Sequence, residues 1–250
     1  MTARDAYDPG TPSWVDLGVP DVDAAVAFYE SLLGWKVQEP TPDSGGYRIC
    51  MLRDSPVAGL GPQTEAKDDT WWTTYVSVAD CDAAVAKVKD AGGTVVGEPM
   101  DLPSAGRMAV CADPHGAPFS LWQPAGFAGA GYVNEPGAWC WSELETRTPE
   151  QALAFYVAVF GWQTVPFRDS DTDRVFLVGD APVASLTADT DDRDRWAVYF
   201  QVDDCDAAVA RVVELGGKSL GDPTETPDIG RMAAVADPQG TVFSVLSAPG

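Results

Sequence analysis

The sequence predicts an α+β fold built from four βαβββ modules arranged as two tandem domains, and three internal repeats carry that prediction. The run Asp80-Cys81-Asp82-Ala83-Ala84-Val85-Ala86 returns unchanged at 204–210, and Gly106-Arg107-Met108-Ala109 returns as Gly230-Arg231-Met232-Ala233 at the same spacing. Ala27-Phe28-Tyr29 with Gly34-Trp35 returns as Ala154-Phe155-Tyr156 with Gly161-Trp162. Within the first half, Asp21-Val22-Asp23-Ala24-Ala25-Val26-Ala27 differs from the run at Asp80 in one position. The chain is therefore two copies of one unit, and each copy is itself doubled.

Each module opens on a short alternating run (14–19, 72–78, 141–144 and 196–202) with the period of a half-buried strand. A helix follows each. In the first, Val22, Val26, Tyr29 and Leu33 share a face, Asp21 stands at the N-cap, and Gly34 stands where a left-handed C-cap is required. In the third, Thr148-Pro149-Glu150-Gln151 predicts an N-cap, a first-turn proline and a capping-box glutamine. Three short β segments separated by Gly, Pro and Asp come after each helix, for example 35–38, 47–52 and 57–60. The Gly- and Ala-rich stretch 125–137 lacks helical periodicity and reads as a linker. A boundary near Gly131 divides the chain into 1–130 and 131–250.

Composition narrows the function. With 250 residues, 45% hydrophobic and 22% charged, the chain can bury a sizeable core. A net charge of −22 repels phosphates and anionic membrane surfaces, so neither nucleic acid nor membrane is expected as a partner. No apolar run has the length of a membrane span, and the start carries Asp5 and Asp8 with no apolar leader, so a soluble cytoplasmic protein is expected. Cys50, Cys81, Cys111, Cys140 and Cys205 are scattered without metal-type spacing and read as small apolar residues in a reducing compartment. His115 is the only histidine, which rules out multi-histidine metal sites within one chain. Gly-rich phosphate loops and serine-hydrolase motifs are missing.

The paired modules, the helices ending F-Y-x-x-x-x-G-W, and the closing D-P-x-G-x-x-F strands (Asp113 to Phe119, Asp237 to Phe243) resemble the vicinal-oxygen-chelate superfamily. That superfamily includes glyoxalase I, extradiol dioxygenases, fosfomycin-resistance enzymes and bleomycin-binding proteins. The doubled chain, with its W-x-D/E-L openings and G-R-M-A before D-P-x-G, is similar to two-domain actinobacterial proteins of glyoxalase-like or hydroxylase type, some near antibiotic pathways. The resemblance implies open, barrel-like sheets in each domain, with the ligand on the concave face.

The same resemblance implies a divalent metal held by histidine or glutamine on opening strands and glutamate on a closing strand. Those positions fall on Trp14, Thr73 and Ser120 in the first half, and on Trp141, Ala197 and Ser244 in the second. None is a good metal ligand, so no metal and no other cofactor is expected. His115 sits in the Asp113-Pro114-His115-Gly116 turn as an exposed residue, replaced by Gln239 in the other half.

Strand alternation places Asp16 and Glu143 on the same concave face as Trp14 and Trp141. In an apolar cleft these carboxylates are poised as general bases; alternatively they are structural partners of Arg107 and Arg231. Trp71, Tyr75 and Trp122 are expected to line the first cleft and Tyr199 the second, with Trp72 and Trp196 facing away. Arg48, Met51 and Trp122 align with Val175, Val178 and Leu246, so the clefts need not share a ligand. Two functions follow. One is metal-free binding of a hydrophobic aromatic metabolite or antibiotic, with Trp14, Trp71, Thr73, Arg107, Ser120, Trp122, Trp141, Ala197, Arg231 and Ser244 around it. The other is a metal-independent isomerase, lyase or hydroxylase-like enzyme acting on a ketone or polyketide-like substrate. There Asp16 or Glu143 removes a proton and Tyr75 or Tyr199 donates to the oxyanion. A monomer or homodimer suffices for either.

Overall fold

Asp21 lies just past the first strand and caps the first helix: its backbone is extended, and its carboxylate accepts the Ala24 N–H at 3.0 Å. This strand–cap–helix start recurs at Asp80 and Asp204 in the second and fourth modules of the computed structural model, which describes residues 4–63, 70–188 and 194–249. In the first domain β1 (Pro12–Val19), α1 (Val22–Leu33), β2 (Lys36–Val37), β3 (Arg48–Leu52) and β4 (Ser55–Pro62) form one module. The next holds β5 (Trp72–Ser77), α2 (Cys81–Asp90), β6 (Thr94–Val95), β7 (Met100–Leu102), β8 (Gly106–Ala112) and β9 (Pro118–Pro124). The second domain repeats the order with β10 (Trp139–Thr146), α3 (Pro149–Phe160), β11 (Gln163–Pro166), β12 (Arg174–Val178) and β13 (Ala181–Ala188). Its last module holds β14 (Arg195–Gln201), α4 (Cys205–Glu214), β15 (Lys218–Ser219), β16 (Thr224–Thr226), β17 (Gly230–Ala236) and β18 (Val242–Ser247). The second and fourth modules thus carry one short strand more than βαβββ: β7 and β16 fold back on β8 and β17 as hairpins.

Modules pair into sheets within each half. β1 runs antiparallel to β5, and the first sheet is ordered β2-β3-β4-β1-β5-β9-β8-β6; β10 and β14 repeat this in the second. Each sheet has one face on the helices and one concave face turned away from them.

The cores, by contrast, form across the halves. α1 and its sheet neighbours Leu17, Leu60 and Trp72 pack with Phe200, Val212, Phe243 and Val245 of the fourth module. The second and third modules share the other core, in which Cys81, Phe119 and Leu121 meet Phe155, Tyr156 and Trp162, with Trp196 of the neighbouring strand β14. Polar groups cross the same junction. Trp72 Nε1 donates to Tyr29 Oη at 3.2 Å, and Tyr29 donates to Asp237 Oδ2 at 3.1 Å. The mirrored chain runs from Trp196 Nε1 to Tyr156 Oη at 2.9 Å and on to Asp113 Oδ2 at 3.3 Å. Gln239 reaches over to the start of α1, accepting from Asp21 N–H and donating to its carbonyl.

Helix ends follow the sequence with one exception. Gly34 and Gly161 are left-handed C-caps at φ 72° and 71°, where a Cβ would strain the backbone. Thr148 makes no side-chain cap bond: its N–H donates to Thr146 Oγ1, so the expected capping box with Gln151 does not form. On α1 the buried stripe is Ala25, Phe28, Tyr29 and Leu33, with Val22 and Val26 half-buried at its margin, because the helix faces both a sheet and the opposite domain. His115 lies in its predicted turn but is half-buried, since Asp113 Oδ1 ties the turn inward through the N–H groups of His115 and Ala117. Among the described residues no helix is long and apolar enough to cross a membrane.

Candidate functional site

The concave face of the first sheet is organised by strand register. Trp14 faces Tyr75, and Tyr75 faces Ser120, while Asp16 faces Thr73. The transverse row is therefore Trp14–Tyr75–Ser120, and Thr73 lies one row further along beside Asp16. The second sheet gives Trp141–Tyr199–Ser244, with Ala197 beside Glu143.

Asp16 is the chemical centre of the first cleft. Tyr75 donates to its Oδ2 at 2.7 Å and Tyr47 to the same oxygen at 3.2 Å, while Trp14 Nε1 donates to Tyr47 Oη at 2.9 Å. Burial raises the Asp16 carboxyl to about 6, the two tyrosine hydrogen bonds opposing that rise. Burial, reinforced by the charge of Asp16, holds both phenols well above their usual range, so they remain donors. Tyr47 reaches this position because β4 presents Gly59 and Gly61 to it: a Cβ at Gly59 would lie 1.8 Å from the Tyr47 hydroxyl oxygen. Those alternating glycines on one strand face were the sequence signal for a ring lying flat there.

Glu143 repeats the arrangement with other residues. Trp141 Nε1 donates to Ser185 Oγ at 2.8 Å, Ser185 to Glu143 Oε2 at 2.7 Å, and Tyr199 to Glu143 Oε1 at 3.1 Å. Ser185 faces Glu143 as Gly59 faces Asp16, so a serine hydroxyl stands in for the Tyr47 phenol. Burial first, and the Glu143 charge second, raise the Tyr199 phenol.

The aromatic residues are divided by what covers them. Trp14, Tyr75 and Trp122 form a buried cluster with Ala130, and the linker lies over it: the Phe127 ring meets Trp14 edge-on at 4.9 Å. Trp122 Nε1 donates to the Phe127 carbonyl at 2.9 Å, and the Ala130 N–H bonds the Ser13 carbonyl at 2.8 Å. The linker can sit this close because Gly129, at φ 135°, has no Cβ; one there would lie 2.2 Å from the Ser13 carbonyl oxygen. Stretch 125–137 thus covers this aromatic cluster as well as connecting the domains, a role its composition did not reveal. Trp71 and Thr73 lie outside this cluster and line a cleft of about 350 Å³, together with Gly18, Met100, Met108 and Val110. Trp72 and Trp196 face the helices as alternation predicts.

Arg107 and Arg231 do not meet the cleft carboxylates. Alternation places Arg107 on the helix side of β8, where it bonds Asp82 and Asp101, and Arg231 bonds Asp206 in the same way. Neither lies among the residues around Asp16 or Glu143, whose partners are hydroxyls: Tyr47 and Tyr75 for Asp16, Ser185 and Tyr199 for Glu143.

Two domains of this topology, each setting a carboxylate beside a tryptophan and a tyrosine on its concave face, define the class: tandem glyoxalase-fold proteins. Residues 11–121 match the Glyoxalase/Bleomycin resistance protein/Dioxygenase superfamily and residues 141–246 the Glyoxalase-like domain, and the chain belongs to this superfamily. It is 40% identical over 255 residues to the putative glyoxylase CFP32 of Mycobacterium tuberculosis (strain CDC 1551 / Oshkosh), covering 98% of each chain. It is 39% identical over 259 residues to the anthracycline biosynthesis protein DauV of Streptomyces sp. (strain C5), covering 96% of this chain and 94% of the relative. Among solved structures it is similar to the Mn(II)-bound glyoxalase of Novosphingobium aromaticivorans, with TM-score 0.69 and 18% identity over 96% of this chain and 82% of that one. The 2,3-dioxygenase LapB of Pseudomonas sp. KL28 gives TM-score 0.66 and 15% identity over 97% and 94%. At these identities the two structures speak for the fold.

The superfamily's metal does not fit the side chains present. The first row offers an indole, a phenol and a hydroxyl, with the Asp16 carboxylate beside it. Tyr75 keeps its proton on the bond to Asp16. Among the described residues no group of three or more His, Cys, Asp or Glu side chains is placed to hold a metal ion.

Proposed function

We propose that this chain binds a small planar, aromatic molecule in the concave cleft of its first domain without using a metal. The observation that carries this reading is the cleft beside Asp16. Its volume of about 350 Å³ suits a compact polycyclic ligand, and Trp71 offers a ring for stacking while Met108 and Val110 supply apolar contact. The similarity to an anthracycline biosynthesis protein favours a polycyclic quinone as the ligand class. Trp14, Tyr75 and Trp122 lie next to the site beneath the linker, and Thr73, which faces Asp16 in register, offers a polar contact in its lining.

A second reading rests on Asp16 itself. A carboxyl that titrates near 6, with a protonated phenol at 2.7 Å, is the pairing a metal-independent proton transfer on a ketone requires. Asp16 would take the proton while Tyr75 turns its hydroxyl toward the developing oxyanion. Titration of the tryptophan fluorescence with the dihydroxyanthraquinone quinizarin, with and without chelator, tests binding. Saturable quenching that survives chelator supports it; quenching that needs added Mn or Fe, or none at all, overturns it. Asp16→Asn separates the readings: affinity within a few fold of wild type in both, but turnover lower by about 10² to 10⁴ only if the site is catalytic.

A further inference from the structure

The two clefts differ at the place where the first has room for a ligand. We propose that the chain takes one uncharged planar ligand per molecule, in the first cleft alone, because Gly18 and Trp71, which line that cleft together, admit it and Glu145 with Arg195 bars it from the second. This inference rests on the binding reading above and adds stoichiometry and specificity to it.

Trp14 and Asp16 correspond to Trp141 and Glu143, so the next inward-facing position is Gly18 in the first sheet and Glu145 in the second. Likewise Trp72 and Tyr75 correspond to Trp196 and Tyr199, which sets Trp71 against Arg195. Gly18 and Trp71 both line the open cleft. A Cβ at Gly18 would meet nothing nearer than 3.7 Å, so this glycine is not demanded by crowding; its effect is to leave volume beside Trp71. Glu145 fills the matching space in the second sheet. It faces Arg195 in register, and its Oε2 lies 2.5 Å from Arg195 Nε, with the side chains only 19% and 31% exposed. An uncharged ligand entering there would have to part or desolvate an ion pair with nothing to offer in return. The surrounding lining is also less apolar: Thr224 and Ala234 take the places of Met100 and Val110.

The test is the stoichiometry of quinizarin on the full-length protein, by calorimetry and visible absorbance. One molecule per chain is expected. Gly18→Leu, which fills the cleft without charge, and Trp71→Arg should each weaken binding at least 20-fold with the thermal midpoint and circular dichroism retained. Glu145→Gly with Arg195→Trp should raise the stoichiometry to two, and because it leaves the first cleft untouched it reads out even if the first-cleft variants fold poorly. Two molecules on the wild type, undiminished affinity in Gly18→Leu, or a stoichiometry that stays at one in the Glu145/Arg195 variant would overturn the inference and leave binding itself standing. A wild type that binds no quinizarin overturns both.

Discussion

Trp35 Nε1 donates to the carbonyl of Gly137 at 2.6 Å, and Trp162 Nε1 donates to that of Gly10 at 2.7 Å. Each indole follows a helix of one domain and holds the backbone that leads into the other domain's first strand. With both cores also shared across the junction, each half leaves an apolar face bare when alone. Fragments 1–130 and 131–250, expressed separately, are expected to show weak near-ultraviolet circular dichroism and no cooperative urea transition, and to regain both on mixing. A cooperative transition in either isolated fragment would contradict this.

The crossing chains Trp72–Tyr29–Asp237 and Trp196–Tyr156–Asp113 are buried. Tyr29→Phe removes the acceptor of one indole and one donor to Asp237, which keeps the N–H groups of Gln239 and Thr241. A loss of about 1–3 kcal/mol is expected from the unpaired indole N–H, and a similar loss for Tyr156→Phe. Urea midpoints at constant m-value measure it.

Asp16 imposes a pH dependence whose sign is set by its raised carboxyl. Its ordinary value is 3.8 and its folded value about 6, so between those values the folded chain binds the extra proton. Its contribution is fully present below about pH 4 and is lost as pH rises through 6, a change of up to about 3 kcal/mol. Asp16→Asn keeps an acceptor for Tyr75 and cannot ionise. Thermal midpoints should therefore show the variant more stable than wild type at pH 7.5, with the difference vanishing at pH 4. Equal midpoints at both values would show that Asp16 titrates normally.

Phe127 closes the first cleft's aromatic cluster edge-on. Phe127→Ala should cost about 2 kcal/mol for a half-buried ring and admit water to Trp14 and Trp122, read as a red shift of tryptophan emission. An unshifted spectrum would mean the linker covers the cluster without this side chain.

The repeats, the strand–cap–helix starts and the left-handed glycines after α1 and α3 are local, so the sequence by itself determined the module order, the two-domain count and the inward alternation that brings Asp16 and Glu143 beside Trp14 and Trp141. The family followed from the same motifs. Alternation also implied that Arg107, two residues from the buried Ala109, faces the helices, yet its charge alone made it a candidate partner for Asp16. Tertiary structure decided which residue met which. A strand's period gives the face of Tyr75, but only register with β1 sets it opposite Trp14, and only the bare faces of Gly59 and Gly61 bring Tyr47 to Asp16. Packing of each helix against the opposite domain, the linker's return over Trp14, and the ion pair in place of Gly18 and Trp71 are contacts between residues far apart in the chain. Their energies depend on distance and burial, which one-dimensional spacing does not encode.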